Sequence, residues 1–102
     1  MATHTVHMKQ GPNRYDPAII TISAGDQVIW HNDGGQHNAA GAKGPKETFD
    51  TNDVPVGTNS TPVTFPVTSS ASGFEYKCTN HHPTMIGHVI VIAANAETGK
   101  RH

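Results

Sequence analysis

Phe74-Glu75-Tyr76-Lys77-Cys78-Thr79-Asn80-His81-His82-Pro83-Thr84-Met85-Ile86-Gly87-His88-Val89-Ile90-Val91-Ile92 carries the information that decides the fold. Phe74, Tyr76 and Cys78 fall on one face of an extended segment, with Glu75 and Lys77 on the other. That is the period of a half-buried strand. Gly87, Val89 and Val91 alternate with Ile86, His88, Ile90 and Ile92. This second strand is apolar on both faces, so a central or covered position is expected. Between the two strands lies a short loop with the chain's only cysteine, two adjacent histidines and a methionine. A single cysteine excludes an internal disulfide.

Outward from this stretch the pattern stays that of short strands. Thr3 to Met8 alternates, with Val6 and Met8 on one face. Gln10-Gly11-Pro12-Asn13 reads as a turn. A strand is expected from Pro17 to about Ser23 around Ile20 and Ile22. After the turn Ala24-Gly25-Asp26 comes a strand with Val28 and Trp30 on one face. We expect these two strands to form a hairpin with Trp30 on its inner face. Asn32 to Ala42 is small and polar and reads as a loop holding His37. Glu47 to Thr51 reads as a short strand around Phe49. Val63, Phe65 and Val67 are expected to point inward on a strand that Pro62 and Pro66 confine to a sheet edge. Ala93 to His102 reads as a polar, frayed tail. About seven to eight short strands without a long helix argue for an all-β sandwich.

Composition narrows the function classes. The chain has 102 residues, a length expected for one domain spanning 1–102. Its formal net charge is −1, with 15% charged residues. No basic block points to nucleic acid, and no apolar run approaches a membrane span. No signal peptide is read at the start of the chain. Histidine is the outlier, with eight residues. His4, His7, His31, His88 and His102 are assigned to outer faces of strands or to the tail. Thiolate, imidazole and weak thioether together form the donor set of an electron-transfer copper site, which serves both Cu(II) and Cu(I) with little rearrangement. Cys78, a histidine of the loop and Met85 offer that set, and His37 would complete it.

In this order and at these separations the residues resemble the cupredoxins, the small blue copper proteins, and within them the plastocyanin and amicyanin branch. The resemblance covers nearly the whole chain. Tyr15-x-Pro17 followed by Ile20-x-Ile22-x-x-Gly25-Asp26-x-Val28-x-Trp30-x-Asn32 is similar to the family's second and third strands. His37-Asn38 is similar to its first copper histidine and the asparagine after it. Tyr76-x-Cys78, a histidine and Met85-x-Gly87-x-Val89-x-Val91 are similar to its ligand loop and last strand. The resemblance implies a Greek-key β-sandwich and one copper ion, Cu2+/Cu+, held by His37, Cys78, a loop histidine and axial Met85. Asn38 would tie the His37 loop to the residues beside Cys78.

The loop departs from the branch by one residue. Two residues separate Cys78 from His81, as in plastocyanin and amicyanin, but the His-Pro-x-Met run of amicyanin begins at His82. We expect His82 as the ligand, with His81 the alternative, because Pro83 would keep Met85 at its usual distance. By resemblance the protein would be a one-electron carrier, not an enzyme. It would be monomeric and extracytoplasmic, for instance periplasmic, docking transiently with redox proteins near the copper loop. Gly34, Gly35, Ala39, Ala40, Pro83, Thr84 and Ile86 are the expected apolar docking patch. A copper-handling or resistance carrier, motivated by the excess of histidine, and a red or green variant site are the alternatives.

Overall fold

The β-branched and aromatic alternation of the chain is realised as nine strands in a computed structural model, which describes residues 2–81 and 84–94. They are β1 (Thr3–Lys9), β2 (Arg14–Asp16), β3 (Ile19–Ser23), β4 (Gln27–Asn32), β5 (Ala40–Gly44), β6 (Glu47–Asp50), β7 (Val63–Thr64), β8 (Phe74–Lys77) and β9 (Ile86–Ile92). One sheet has the order β2-β1-β4-β7 and the other β3-β9-β8-β5-β6. No helix long and apolar enough to cross a membrane occurs among the described residues.

The two sheets bury one apolar face each. Val6, Met8, Val28, Trp30 and Val63 come from the first sheet, and Ile22, Tyr76, Val89 and Val91 from the second. Aromatic rings bridge the layers. Trp30 meets Tyr76 edge-on at 5.1 Å and stacks on Phe49 at 5.4 Å, while Tyr15 meets Tyr76 at 4.5 Å. Such pairs add about 0.5–1.5 kcal/mol each beyond their burial. Gly87 lies opposite Tyr76 in the β8–β9 register. A Cβ there would fall 2.3 Å from Tyr76 Cζ, so the phenol ring occupies the space a side chain would need.

Strand β9 lies between β3 and β8, the central place its two apolar faces predict. Strand β7 pairs only with β4, at the edge where its flanking prolines put it. Three expectations need correction. First, β3 and β4 are not a hairpin. Strand β3 runs parallel to β9 in one sheet and β4 parallel to β1 in the other. The corner between them is held from both sides: Ala24 N–H donates to Ile92 O and Gly25 N–H to Phe65 O, each 2.8 Å. Gly25 takes φ +97° there, a conformation glycine adopts without steric cost. Ile22 and Ser23 are both buried, which marks the switch of sheets. Second, Ala40 to Gly44 is a strand rather than loop, because its small residues let β5 lie against β8. Third, Val67 is exposed, since β7 ends at Thr64 and Pro66 follows. Arg14–Asp16, which carries no alternation of its own, pairs with β1 as a further short strand. The tail expected from Ala93 lies outside the described residues from 95 onward.

Candidate metal centre

Cys78 follows directly on β8, so the sheet sets its position, and it is fully buried. Its backbone N–H donates to Met85 O at 3.1 Å, closing the base of the loop just before β9 begins. Within the loop His81 N–H donates to Cys78 O at 3.1 Å. Thr84 N–H and Met85 N–H then return to His81 O at 3.1 and 3.3 Å. His81 is thereby fixed by two successive turns close to the cysteine. Met85 is fully buried at the loop's end.

His37 arrives from the other side of the site. Asn32, buried at the end of β4, shapes the turn leading to it. Its Nδ2 donates to Gly35 O (2.9 Å) and Val54 O (2.7 Å), and its Oδ1 accepts from Gly34 N–H (2.8 Å). Val54 N–H donates to His37 O at 3.0 Å. His37 is fully buried, with Nδ1 4.0 Å from Cys78 Sγ. The ring centroids of His37 and His81 are 5.1 Å apart. Burial first, and the neighbouring His81 second, hold the His37 imidazole below its ordinary pKa, while a Gly34 backbone contact opposes them. The neutral ring a metal ligand must be is therefore favoured.

Asn38 joins the two halves. Its Oδ1 accepts from Thr79 N–H (2.9 Å) and from Thr79 Oγ1 (3.1 Å). Its Nδ2 donates to Asp50 Oδ1 (3.1 Å), and its carbonyl accepts from Tyr15 OH (2.6 Å). Burial raises the Tyr15 phenol pKa, with Cys78 adding to it, so Tyr15 stays a hydrogen-bond donor.

His37, Cys78 and His81 bring one imidazole nitrogen, one sulfur and one imidazole nitrogen within 4.8 Å of one another. Nitrogen and sulfur donors hold first-row metal ions at about 2.0–2.3 Å, so donors this close can share one ion. His37 Nε2 is buried without a hydrogen-bond partner. His81 Nε2 donates to Gln36 O at 2.9 Å, and its Nδ1 accepts from Asn13 Nδ2 at 3.3 Å. A ligating nitrogen must give up one of these contacts, and the longer one, at Nδ1, is the weaker.

The family model for copper binding proteins, plastocyanin/azurin family, matches residues 2–92. The chain is a cupredoxin. Solved structures similar to this cupredoxin include a reduced Cu(I) form of an amicyanin variant at pH 4, with TM-score 0.73 and 22% identity. That match covers 88% of this chain and 82% of the other. An oxidised amicyanin variant gives TM-score 0.72 and 22% identity over 87% and 81% of the two chains. Among curated proteins none matches the cupredoxin in sequence. The nine-stranded double sheet is thus the cupredoxin fold, and the His37–Cys78–His81 group fits one copper ion.

His82 and Pro83 lie outside the described residues. Sequence reasoning passed over Tyr15, Asn13 and Gln36 as parts of the site. Only the Tyr15-x-Pro17 spacing signalled one of them, and the turn that delivers Asn13 has no ligand pattern. Of the expected docking patch, Ala39 is fully buried and belongs to the core. Gly34, Gly35, Ala40 and Ile86 are half-buried and Thr84 is exposed.

Proposed function

We propose that the chain is a mononuclear type 1 copper protein, a single domain over 1–102 that carries one electron between redox partners and is not itself an enzyme. Copper, cycling between Cu(II) and Cu(I), would supply the one-electron step. His37 and Cys78 would hold it together with a loop histidine, and Met85 would offer a weak thioether donor. The convergence of the buried His37 and Cys78 with the half-buried His81 carries the reading. We take His81 as the loop histidine because it stands beside His37 and Cys78; His82, the ligand expected from the loop spacing, lies outside the described residues. Strand-end placement of Cys78 and the Asn38 bonds to Thr79 would keep the donors in place when the charge changes. Burial on the His37 side keeps water away. Electrons would enter near the more exposed loop, where a small, weakly charged surface suits a transient redox partner. The resemblance to amicyanin supports an extracytoplasmic setting as part of this proposal.

The test is addition of Cu(II) to the apo-protein with visible and EPR spectra. An intense thiolate-to-copper band that disappears in Cys78→Ser is expected. Absence of the band in the unaltered protein would sink the reading. Comparison of His81→Ala with His82→Ala assigns the loop ligand: loss of the band in the His81 variant alone is expected, and loss in the His82 variant alone reverses the choice.

A further inference from the structure

The segment carrying His37 is tied to the ligand loop on both flanks of the histidine. Residues 50–54 run alongside residues 36–39. Thr51 N–H donates to Ala39 O at 3.0 Å, Ala39 N–H to Thr51 Oγ1 at 3.0 Å and Val54 N–H to His37 O at 3.0 Å. From this segment Asp53 reaches two places at once. Its Oδ2 accepts from Gln36 Nε2 at 3.0 Å, and its Oδ1 accepts from Asn80 Nδ2 at 2.9 Å. Gln36 directly precedes His37, and Asn80 stands between Cys78 and His81 in the chain. On the other flank of His37, Asn38 Oδ1 accepts from Thr79. Asp53, Gln36 and Asn80 are all exposed. Among the described residues no cationic side chain pairs with Asp53.

We propose that Asp53 is a positioning residue of the copper centre, a carboxylate clasp that holds the His37 segment to the Cys78–His81 loop from the exposed side. This role presupposes the copper reading proposed for the centre. A carboxylate suits the task because it only accepts, and it offers two oxygens to two amide donors. Bonds to an ionised acceptor are also stronger than neutral ones. The bonds from Gln36 and Asn80 hold the Asp53 carboxyl below its ordinary pKa, which keeps it ionised at neutral pH. Contacts made by His81 cannot do the same work in full. A ligating nitrogen of His81 releases either Gln36 O or Asn13 Nδ2. The Asp53 bonds use no candidate donor atom, so they persist with the metal bound or absent. They set the separation of His37 from the loop before copper arrives, and preorganisation raises affinity by sparing the cost of ordering.

The clasp is tested first without metal. In the apo-protein, Asp53→Ala should weaken the nuclear Overhauser contacts between the His37 and His81 rings. The urea midpoint should stay unchanged, because Asp53 is exposed. Asp53→Asn should retain the ring contacts, since the Gln36 and Asn80 amides can turn end for end and pair with an amide as well. Copper affinity is then read by competition with a chelator. Asp53→Ala should lower it about three- to tenfold, less than a buried partner of a ligand is worth, and Asp53→Asn should recover most of the loss. The double variant Gln36→Ala with Asn80→Ala should match Asp53→Ala, and adding Asp53→Ala to it should lose nothing more. Unchanged ring contacts in Asp53→Ala, an equal loss in Asp53→Asn, or a further full loss in the triple variant overturns the proposal. A missing thiolate-to-copper band in the unaltered protein counts against the copper reading alone, because the ring contacts are read without metal.

Discussion

Asn38 and Asn32 show how single polar side chains control the copper centre. Asn38 anchors the His37 loop to Thr79, Asp50 and Tyr15. Asn38→Ala should therefore lower copper affinity by about 10- to 100-fold, read by competition with a chelator of known affinity. Asn32 binds two backbone groups of the turn before His37, Gly34 N–H and Gly35 O, and the Val54 carbonyl. Its replacement by Ala leaves the buried Val54 carbonyl without that donor, which costs about 1–3 kcal/mol per group so orphaned. Urea unfolding of the apo-protein measures it. Tyr76 behaves in the opposite way. Its hydroxyl and the Trp30 Nε1 are both buried without hydrogen-bond partners of good geometry. Burial raises the Tyr76 pKa, and the nearby Trp30 indole only moderates this. Tyr76→Phe is expected to leave stability unchanged or to raise it, since no satisfied bond is lost. A clear loss in the same urea experiment counts against that account.

At the level of elements, the β8–loop–β9 unit determines where the candidate donors sit. Its strand ends fix Cys78 and Met85, and the close approach of Tyr76 to Gly87 sets how the two strands pack beneath them. Gly87→Ala drives a methyl group into the Tyr76 ring. A loss of about 1–3 kcal/mol is expected from overpacking. Combination with Tyr76→Leu should recover part of the Gly87→Ala loss, and purely additive losses in the double variant would exclude this contact as the cause. This unit was legible in the sequence because its alternation is strong and its donors are rare residue types. The partners of β3 were not legible. Ile20 and Ile22 alternate equally well against β4 or β9, and side-chain period assigns faces, not neighbours. Strand β5 was hidden for a related reason: Ala-Gly-Ala carries no apolar alternation, and its extended form comes from pairing with β6 and β8.

At the scale of the molecule, Asp26 ties the first strand to the corner between the sheets. It is buried and accepts from Ala2 N–H, His4 Nε2 and Ser23 N–H. Burial acts to raise its pKa, but the bonds from His4, Ala2 and Ser23 outweigh it and the net shift is downward. A carboxyl whose folded pKa lies below its unfolded value stabilises the fold above the unfolded pKa of about 3.9. That contribution is lost as pH falls through the folded value. Acid unfolding of the apo-protein should thus show a component below about pH 4 that disappears in Asp26→Asn. An identical acid limb in the variant contradicts the assignment.

Period-two alternation and a lone Cys-His-His-Met loop are local signals, so the sandwich class, the core face of most strands and the candidate donor types can be read along the chain. His37 was identified through its place in the family pattern. Which strands pair, the placing of β3 and β4 in opposite sheets, and the position of His81 beside His37 and Cys78 emerge only in the folded molecule. These are facts of pairing between residues far apart in the chain. Cross-strand hydrogen bonds and packing of the two inner faces select such pairs, and no local spacing encodes them.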